Sequence, residues 1–364
     1  MILVTIKSYF KKNMVTKLKK IAKKIIFYLN TNLKFRRKGY LQEIQNRSQL
    51  PLTAINQLSK NISILSAYSL ELHQPNDFYG HATALKKYAD FSPDYQLKFI
   101  IQHGIVFADH MFGMEDVTEI PSFVTLGKHR AEIIKKYKVN RAAREGALGY
   151  KSHTFVIGPY IHYASPYLST TETNQEKKRL GNCLTIFPAH SSLEIRTHYD
   201  VEKFAKKIQK IATEFDSVRI CLYWKDILHG IAKPYQKLGF ECVTAGHVLD
   251  PNFLPRLKSI IETSSYTASN SIGTHTGYCI HLNKPNYIFR QKFNFTGRKS
   301  EVELTESDQD DRPYAAFTTF TKKITVQQRK VVDFYWGTSQ IKTKKQMRDL
   351  FKKTEQIYQD SFRN

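Results

Sequence analysis

Residues 97–104 of this sequence are LKFIIQHG, a mostly apolar run that ends in two polar residues and a glycine. A short apolar run of this kind is typical of a strand that is buried on both faces of a parallel sheet. A second segment with the same organisation, CLTIFPAHSS, occupies residues 183–192. We interpret both as strands followed by a polar loop at the sheet edge where open α/β sheets bind their ligands.

Outward from these two runs, short apolar segments alternate with segments of helical periodicity. In the first half we predict strands at residues 62–68, 97–101, 122–126 and 154–157, and helices at 80–88 and 129–137. In the second half we predict strands at residues 183–187, 218–223, 240–244 and 286–289, and a helix at 201–214. This alternation predicts an α/β protein built from two Rossmann-like doubly wound domains.

Composition divides the chain into five parts. Residues 1–60 form a basic N-terminal extension, residues 61–168 and 182–324 the two Rossmann-like domains, and residues 325–364 a C-terminal helical segment. Between the domains, residues 169–181 are polar and charged without apolar spacing, so we interpret them as a linker. Residues 301–311 are acidic and are interpreted as a surface loop.

The charge of the chain is concentrated at its beginning. The 364 residues carry a formal net charge of +24, and ten Lys and two Arg without any acid lie in the first forty. Apolar residues recur there at helical spacing with lysines largely opposite, at Met14, Leu18, Ile21, Ala22, Ile25 and Leu29. A cationic amphipathic helix binds an anionic membrane surface, or it packs its apolar stripe on its own domain. A nucleic-acid partner ranks below both because the chain has no recognition motif.

Other classes are excluded by composition. No stretch approaches the roughly 18 uninterrupted apolar residues of a membrane-spanning helix. The four cysteines have no CxxC spacing, and no apolar signal segment opens the chain, so we expect a reducing, cytoplasmic compartment. Nothing in the spacing of His and Cys residues predicts a metal site.

The segment 264–285, SSYTASNSIGTHTGYCIHLNKP, is rich in hydroxyls and precedes an apolar helix. Hydroxyls and open backbone N–H groups at a helix N-terminus can hold a phosphate, because the donors and the positive end of the helix dipole point the same way. The alternative is a hydroxyl-rich cap that serves only its own helix. The candidate donor-binding residues of this segment are Ser269, Asn270, Ser271, Gly273 and Thr274.

Polar residues also follow the predicted strands in both halves. After residues 97–101 come His103, whose neutral imidazole can accept a proton from a hydroxyl, and Gly104, which permits a tight turn. His103 is therefore our candidate base. In the second half, His190 and Ser191 follow one strand and Trp224 follows another, and these are further candidates for donor binding.

The order of these segments resembles the GT-B glycosyltransferases, and among them the bacterial surface-polysaccharide enzymes of the sialyltransferase and capsule-type or teichoic-acid polymerase-like groups. The resemblance spans about residues 62–364 and is carried by residues 269–274, by Lys284 and Pro285, and by His103 and Gly104. It implies two domains facing a cleft, with an acceptor site in the first and a nucleotide-sugar site in the second. The chain departs from the family in having Phe187, Pro188, Ala189 and His190 where the family has adjacent His-Pro.

The resemblance implies a metal-independent glycosyltransferase without a cofactor, which moves a sugar from a nucleotide-activated donor to a cell-envelope glycan or glycolipid. The basic extension would hold such an enzyme at the inner face of the cytoplasmic membrane. Two alternatives stay open. One is a nucleotide-sugar epimerase of the same fold, and the other is a non-catalytic scaffold that binds a membrane or nucleic acid.

Overall fold

The computed structural model describes residues 34–62, 69–109, 120–145, 153–298 and 313–361. The predicted amphipathic helix, nearly all of the predicted strand at 62–68 and the acidic segment 301–311 lie outside these residues. Among the described helices, none combines the length and the apolar character that crossing a membrane requires.

The strands of the described residues are, in chain order, β1 (Ile100–Ile101), β2 (Ser122–Thr125), β3 (His153–Val156), β4 (Cys183–Phe187), β5 (Ile195–His198), β6 (Ser217–Cys221), β7 (Glu241–Val243), β8 (Tyr266–Ser269), β9 (Asn286–Ile288) and β10 (Asn294–Gly297). The α-helices are α1 (Lys34–Arg47), α2 (Ile55–Ser59), α3 (His81–Tyr88), α4 (Lys128–Glu145), α5 (Thr170–Leu180), α6 (Val201–Ala212), α7 (Trp224–Leu228), α8 (Ala232–Lys237), α9 (Phe253–Glu262), α10 (Thr274–His281), α11 (Val326–Trp336) and α12 (Lys344–Asp360).

Two parallel sheets form the framework. The first has the order β1-β2-β3, with Ile100 opposite Phe123 and Ser122 opposite His153. The second has five parallel strands in the order β7-β6-β4-β8-β9. Counted along the chain, these parallel strands stand 3-2-1-4-5, so the winding reverses between β4 and β8. The prediction of an α/β fold with two Rossmann-like units is confirmed.

The helices of the second unit cover both faces of its sheet, as the reversal requires. On one face, apolar residues of α6, α7 and α8 pack with β4 and β6, including Phe204, Ile208 and Tyr235. On the other face, α9 and α10 belong to an apolar cluster that also contains Val124 and Phe99 of the first unit. The two units therefore share one hydrophobic core along this face.

Segments near both ends of the described residues pack on the unit that is distant from them in sequence. Near its beginning, Tyr40 donates a hydrogen bond to the Leu249 carbonyl, and Thr244 donates its backbone N–H to the Leu52 carbonyl. Residues 40–60, which we predicted as part of an extension, thus pack on the second unit. The predicted C-terminal helix is confirmed as α12, and its Phe351 ring packs against Phe91 of the first unit at 4.8 Å between ring centroids.

Three segments differ from the sequence prediction. Residues 169–181, predicted as an interdomain linker, contain helix α5, whose start is stabilised by a reciprocal capping box of Ser169 and Glu172. Residues 266–269, predicted as part of a hydroxyl-rich loop, form the interior strand β8, between β4 and β9. The antiparallel ribbon of β5 and β10 was not predicted at all.

Candidate functional site

The reversal of winding between β4 and β8 places two predicted loops side by side. In doubly wound sheets the carboxyl ends of the strands at such a point form the ligand crevice. Here Asn270, fully buried, accepts a 2.6 Å hydrogen bond from the Ala189 N–H and donates through its amide to Gln291 at 3.0 Å. Asn270 thus fastens the loop after β8 to the loop after β4.

The loop after β4 is held by a buried carboxylate. Ser191 donates its hydroxyl to Asp226 at 2.6 Å and its backbone N–H to the same carboxylate at 3.0 Å. Both side chains are buried, so the Ser191 hydroxyl is committed to the fold. His190 is exposed beside it, with its ring 4.5 Å from the Tyr223 ring.

The loop after β8 leads into α10. Tyr314, from a distant part of the chain, places its hydroxyl 3.3 Å from the Ser271 hydroxyl and accepts the Ile272 N–H at 3.2 Å. Gly273 is the N-cap residue, and its own N–H donates to Thr276. Within the first helical turn the Thr276 N–H donates to the Gly273 carbonyl at 2.9 Å, which leaves the N–H groups of Thr274 and His275 as the open donors of the N-terminus.

The first unit meets this helix N-terminus directly. The backbone N–H of Ile105, just after β1, donates to the Thr274 hydroxyl at 2.9 Å. A Cβ atom on Gly104 would lie 3.0 Å from that hydroxyl oxygen, so the absence of a side chain at Gly104 permits the close approach. The structure therefore brings His103, Gly104, Gly273 and Thr274 to one junction between the two units.

His103 sits in this junction with one ring nitrogen unpaired. Its Nε2 is buried without a hydrogen-bond partner, and its ring lies between His73, with centroids 6.2 Å apart, and Phe78, at 5.2 Å. Burial, assisted by the charge of a protonated His73, lowers the pKa of His103 to about 4. Pro75 provides a backbone hydrogen bond to the ring. Because proline has only a carbonyl to offer, the imidazole donates from Nδ1 and keeps a lone pair on Nε2.

Other buried polar atoms near this junction also have no partner. They are Nε2 of His73, Nδ1 of His81 and the hydroxyl of Ser269. Burial lowers the pKa of His81 to about 3, with a smaller contribution from His103. Unsatisfied buried groups are rare in folded proteins and each calls for an explanation, such as a ligand or a water molecule.

His275 is a residue of this site that sequence analysis missed. Its ring stacks on Phe187 at the end of β4, with centroids 5.0 Å apart. Burial lowers its pKa to about 3, and His190 contributes to that shift. Its position beside Thr274 in the segment 264–285 was the available signal, since it is the second residue of α10.

Trp224 lies apart from the crevice in a separate apolar cluster with Ile62, Val248 and Leu249. Its ring is buried and packs on His247 at 4.1 Å between centroids. A nucleobase would have to displace that imidazole before it could stack on Trp224. Within the described ranges, no three His, Cys, Asp or Glu side chains are grouped so that they would hold a metal ion.

No family model matches the chain, and no curated protein matches it by sequence. Among solved structures, it is similar to UDP-GlcNAc 2-epimerase from Neisseria meningitidis bound to UDP-GlcNAc, with 12% identity, a TM-score of 0.32 and coverage of 87% of this chain and 84% of that one. It is also similar to S. aureus MnaA with UDP (10% identity, TM-score 0.31, covering 62% and 56%). A third similar structure is the pneumococcal O-GlcNAc transferase GtfA with UDP and GlcNAc (11% identity, TM-score 0.32, covering 77% and 53%).

The chain thus spans little more than half the length of two of these three structures. At TM-scores of 0.31 and 0.32 the likeness adds nothing to the assignment of the site. That assignment rests on the geometry of this chain.

Proposed function

We propose that this protein is a glycosyltransferase that takes its sugar from a nucleotide-activated donor bound between the two units. The observation that carries the proposal is the 2.9 Å hydrogen bond from the Ile105 N–H to the Thr274 hydroxyl. It sets the loop that bears His103 against the N-terminus of α10. A ligand held at this junction would therefore meet a proton acceptor from one unit and an anion site from the other.

The donor end of the site is the N-terminus of α10. Open N–H groups and the positive end of the helix dipole favour a phosphate group there. A second feature is the hydroxyl of Ser269, at the end of the neighbouring strand β8, which is fully buried and has no hydrogen-bond partner. A phosphate oxygen would supply that partner, and the same donors would stabilise the charge that develops on the leaving nucleotide.

At the acceptor end of the site, His103 is the proposed general base. In the proposed step, a hydroxyl of the acceptor gives its proton to Nε2 of His103 while its oxygen bonds to the anomeric carbon of the sugar. The bond between that carbon and the phosphate oxygen breaks, and the electron pair leaves with the nucleotide. A bound phosphate favours the imidazolium form, so donor binding raises the pKa of His103 from its low value and strengthens it as a base.

The acceptor is proposed to be a cell-envelope glycan or glycolipid presented at an anionic membrane surface. This part of the proposal rests on the ten Lys and two Arg of the first forty residues. Each basic residue close to an anionic membrane contributes about 1 kcal/mol of attraction, which salt screens.

Binding of UDP-, CMP-, GDP- and CDP-activated sugars to the full chain, measured by isothermal titration calorimetry, tests the donor site. We expect one of the four to bind, and Ser269→Ala to weaken its binding about tenfold, because a hydrogen bond to a charged group contributes about 1.5–3 kcal/mol. The matched control is Ser59→Ala, since Ser59 in α2 is also fully buried with an unpaired hydroxyl. It should change the affinity less than about twofold. Binding of none of the four, or unchanged affinity in Ser269→Ala, contradicts the donor site.

Release of the nucleotide from the bound conjugate tests the role of His103. We expect His103→Gln to slow this release by about 100-fold or more while donor affinity stays within about threefold, because a general base contributes about 10²–10⁴ in rate. The exposed His229 provides the matched control, and His229→Gln should retain the full rate. Conversion of the sugar while it stays attached to the nucleotide would instead indicate an epimerase.

A further inference from the structure

A second recess lies at the opposite edge of the large sheet. It is a groove of about 560 Å³ at the amino ends of β4, β8 and β9, whereas the candidate site lies at their carboxyl ends. We call it the basic groove and define it by six of its lining residues, which are Asn182, Tyr266, Asn283, Lys322, Lys323 and Arg329. None of these residues belongs to the proposed catalytic site.

The cations of the basic groove are not neutralised. Lys322 and Lys323 are exposed, and neither ammonium group pairs with a carboxylate among the residues that the structure describes. The Arg329 guanidinium donates to the Asn283 amide oxygen at 3.3 Å, which is a neutral partner. Three positive charges around one recess repel each other, and an anion between them would relieve that repulsion.

Lys284 is a further basic residue next to the groove. Burial lowers its pKa, and the charge of Lys177 lowers it further, although Glu262 acts in the opposite direction. Lys284 stands between Asn283 and Pro285, which both line the groove. Lys284 therefore adds a fourth lysine or arginine side chain close to the groove.

Aromatic and amide groups complete the surface. Tyr266 lines the groove, and the Phe320 ring lies 6.1 Å from both Tyr266 and Tyr287. Phe320 is 46% exposed, so part of its apolar ring surface is open to a ligand beside the charged recess. The Asn182 and Asn283 side chains offer amide donors and acceptors of the kind that pair with hydroxyl groups.

We propose that the basic groove binds an acidic oligosaccharide at a site separate from the catalytic one. The cations would pair with its carboxylate or phosphate groups, the amides with its hydroxyls, and the exposed aromatic ring with the C–H face of a sugar. The choice of a glycan over a nucleic acid rests on the proposed function, because an enzyme that extends a glycan gains from holding a finished segment of it. The three cations of the groove favour a glycan that is acidic.

Fluorescence anisotropy with the full chain at 0.15 M salt tests this site. The probes are labelled tetragalacturonate for the carboxylate case, phosphorylated maltotetraose for the phosphate case, neutral maltotetraose, and an eight-residue oligothymidylate. We expect one acidic saccharide to bind, with affinity falling at least about tenfold in a Lys322→Glu, Lys323→Glu double variant. Phe320→Ala should weaken binding about threefold or more without any change of charge.

The matched control is Lys206→Glu with Lys207→Glu, an adjacent pair of exposed lysines on α6. It makes the same change of net charge and should alter the affinity less than about twofold. Equal losses in both double variants, no binding of either acidic saccharide, or groove-dependent binding of the oligothymidylate alone would overturn the proposal. Nucleotide-sugar binding, measured in the same variants, should be unchanged. If no nucleotide sugar binds while the groove still holds an acidic saccharide, the proposed function fails and the groove assignment stands.

Discussion

At the scale of single residues, the protonation state of His103 is the property of the site that a titration can measure. Its pKa of about 4 follows chiefly from burial, so its imidazole is neutral at pH 7. An anion bound nearby favours the charged ring and raises that pKa. We therefore predict that NMR titration of the histidine Cε1–H signals gives a pKa near 4 for His103 in the free protein, and a higher value in the presence of the nucleotide (UDP, CMP, GDP or CDP) whose sugar conjugate binds.

The signal is assigned as the one that disappears in His103→Gln. His81, whose pKa of about 3 also follows from burial, serves as a reference that titrates at lower pH. A His103 pKa near the ordinary value of 6.5 in the free protein would contradict the buried environment. If the pKa of His103 does not change when the nucleotide binds, the phosphate does not lie close to His103.

Local sequence predicted those residues of the site that follow a strand or open a helix. His103 was predicted from an apolar run that ends in polar residues, whereas Asn270 and Thr274 were predicted from the hydroxyl-rich segment that opens a helix. All three lie at the carboxyl ends of the two sheets. Their partners were not predicted. Tyr314 is 43 residues from Ser271, and Asp226 is 35 residues from Ser191. No local pattern encodes such pairings, because tertiary packing alone creates them.

At the scale of elements, the position of α10 depends on its packing against α11. A Cβ atom on Gly277 would lie 2.3 Å from the Trp336 ring, and the Trp336 indole donates to the Thr274 carbonyl at 3.0 Å. Only a residue without a side chain lets the two helices approach so closely. We predict that Gly277→Ala lowers the free energy of unfolding by about 1–3 kcal/mol or more, as overpacking of a core does. Urea unfolding followed by circular dichroism measures this change.

The matched control is a helical glycine without neighbours. A Cβ atom on Gly39 in α1 meets nothing within 4 Å. Gly39→Ala should raise the free energy of unfolding by about 0.5–1 kcal/mol, because glycine loses more backbone entropy than alanine in a helix. Equal effects of the two substitutions would show that helix propensity alone, and not the contact with Trp336, decides the result at Gly277.

Elements with apolar runs were predicted well, and polar elements were not. The β4 run CLTIF is fully buried and was predicted to the residue. In contrast, β8 has the sequence YTAS, and its Thr267 hydroxyl is satisfied by the Pro285 carbonyl at 2.9 Å. Because β8 is polar in composition and its hydroxyl finds a hydrogen-bond partner inside the protein, the sequence resembles that of a loop. A loop was therefore predicted there. Helix α5 has no continuous apolar stripe, and only its capping box distinguishes it from a linker.

At the scale of the whole molecule, the chain ends bind the two units together. The Tyr95 hydroxyl in the first unit pairs with Glu355 in α12, 260 residues later, at 3.0 Å. Arg256 in the second unit donates to the Arg47 carbonyl near the beginning of the described chain, at 2.9 Å. Such contacts close long loops and are invisible in local sequence, which is why the predicted domain boundaries place residues 40–60 and α12 outside the units that they complete.

Buried imidazoles make the stability of the whole molecule depend on pH. His81 and His247 are each 2% exposed, and burial lowers the pKa of each to about 3. The unfolded chain binds protons at these groups below about pH 6.5, whereas the folded protein does not, so stability falls as the pH drops from 6.5 toward 3.

We predict that the free energy of unfolding decreases by about 2 kcal/mol for each of these two histidines between pH 7.5 and pH 5.0, because one pKa unit corresponds to about 1.36 kcal/mol. Urea unfolding at constant ionic strength measures the decrease. His81→Phe removes one titrating group without adding a charge, so its loss of stability over the same range should be smaller by about 2 kcal/mol. A pH dependence identical to that of the unaltered protein would mean that His81 takes up its proton in the folded state, and the junction between the two units would then be open to water.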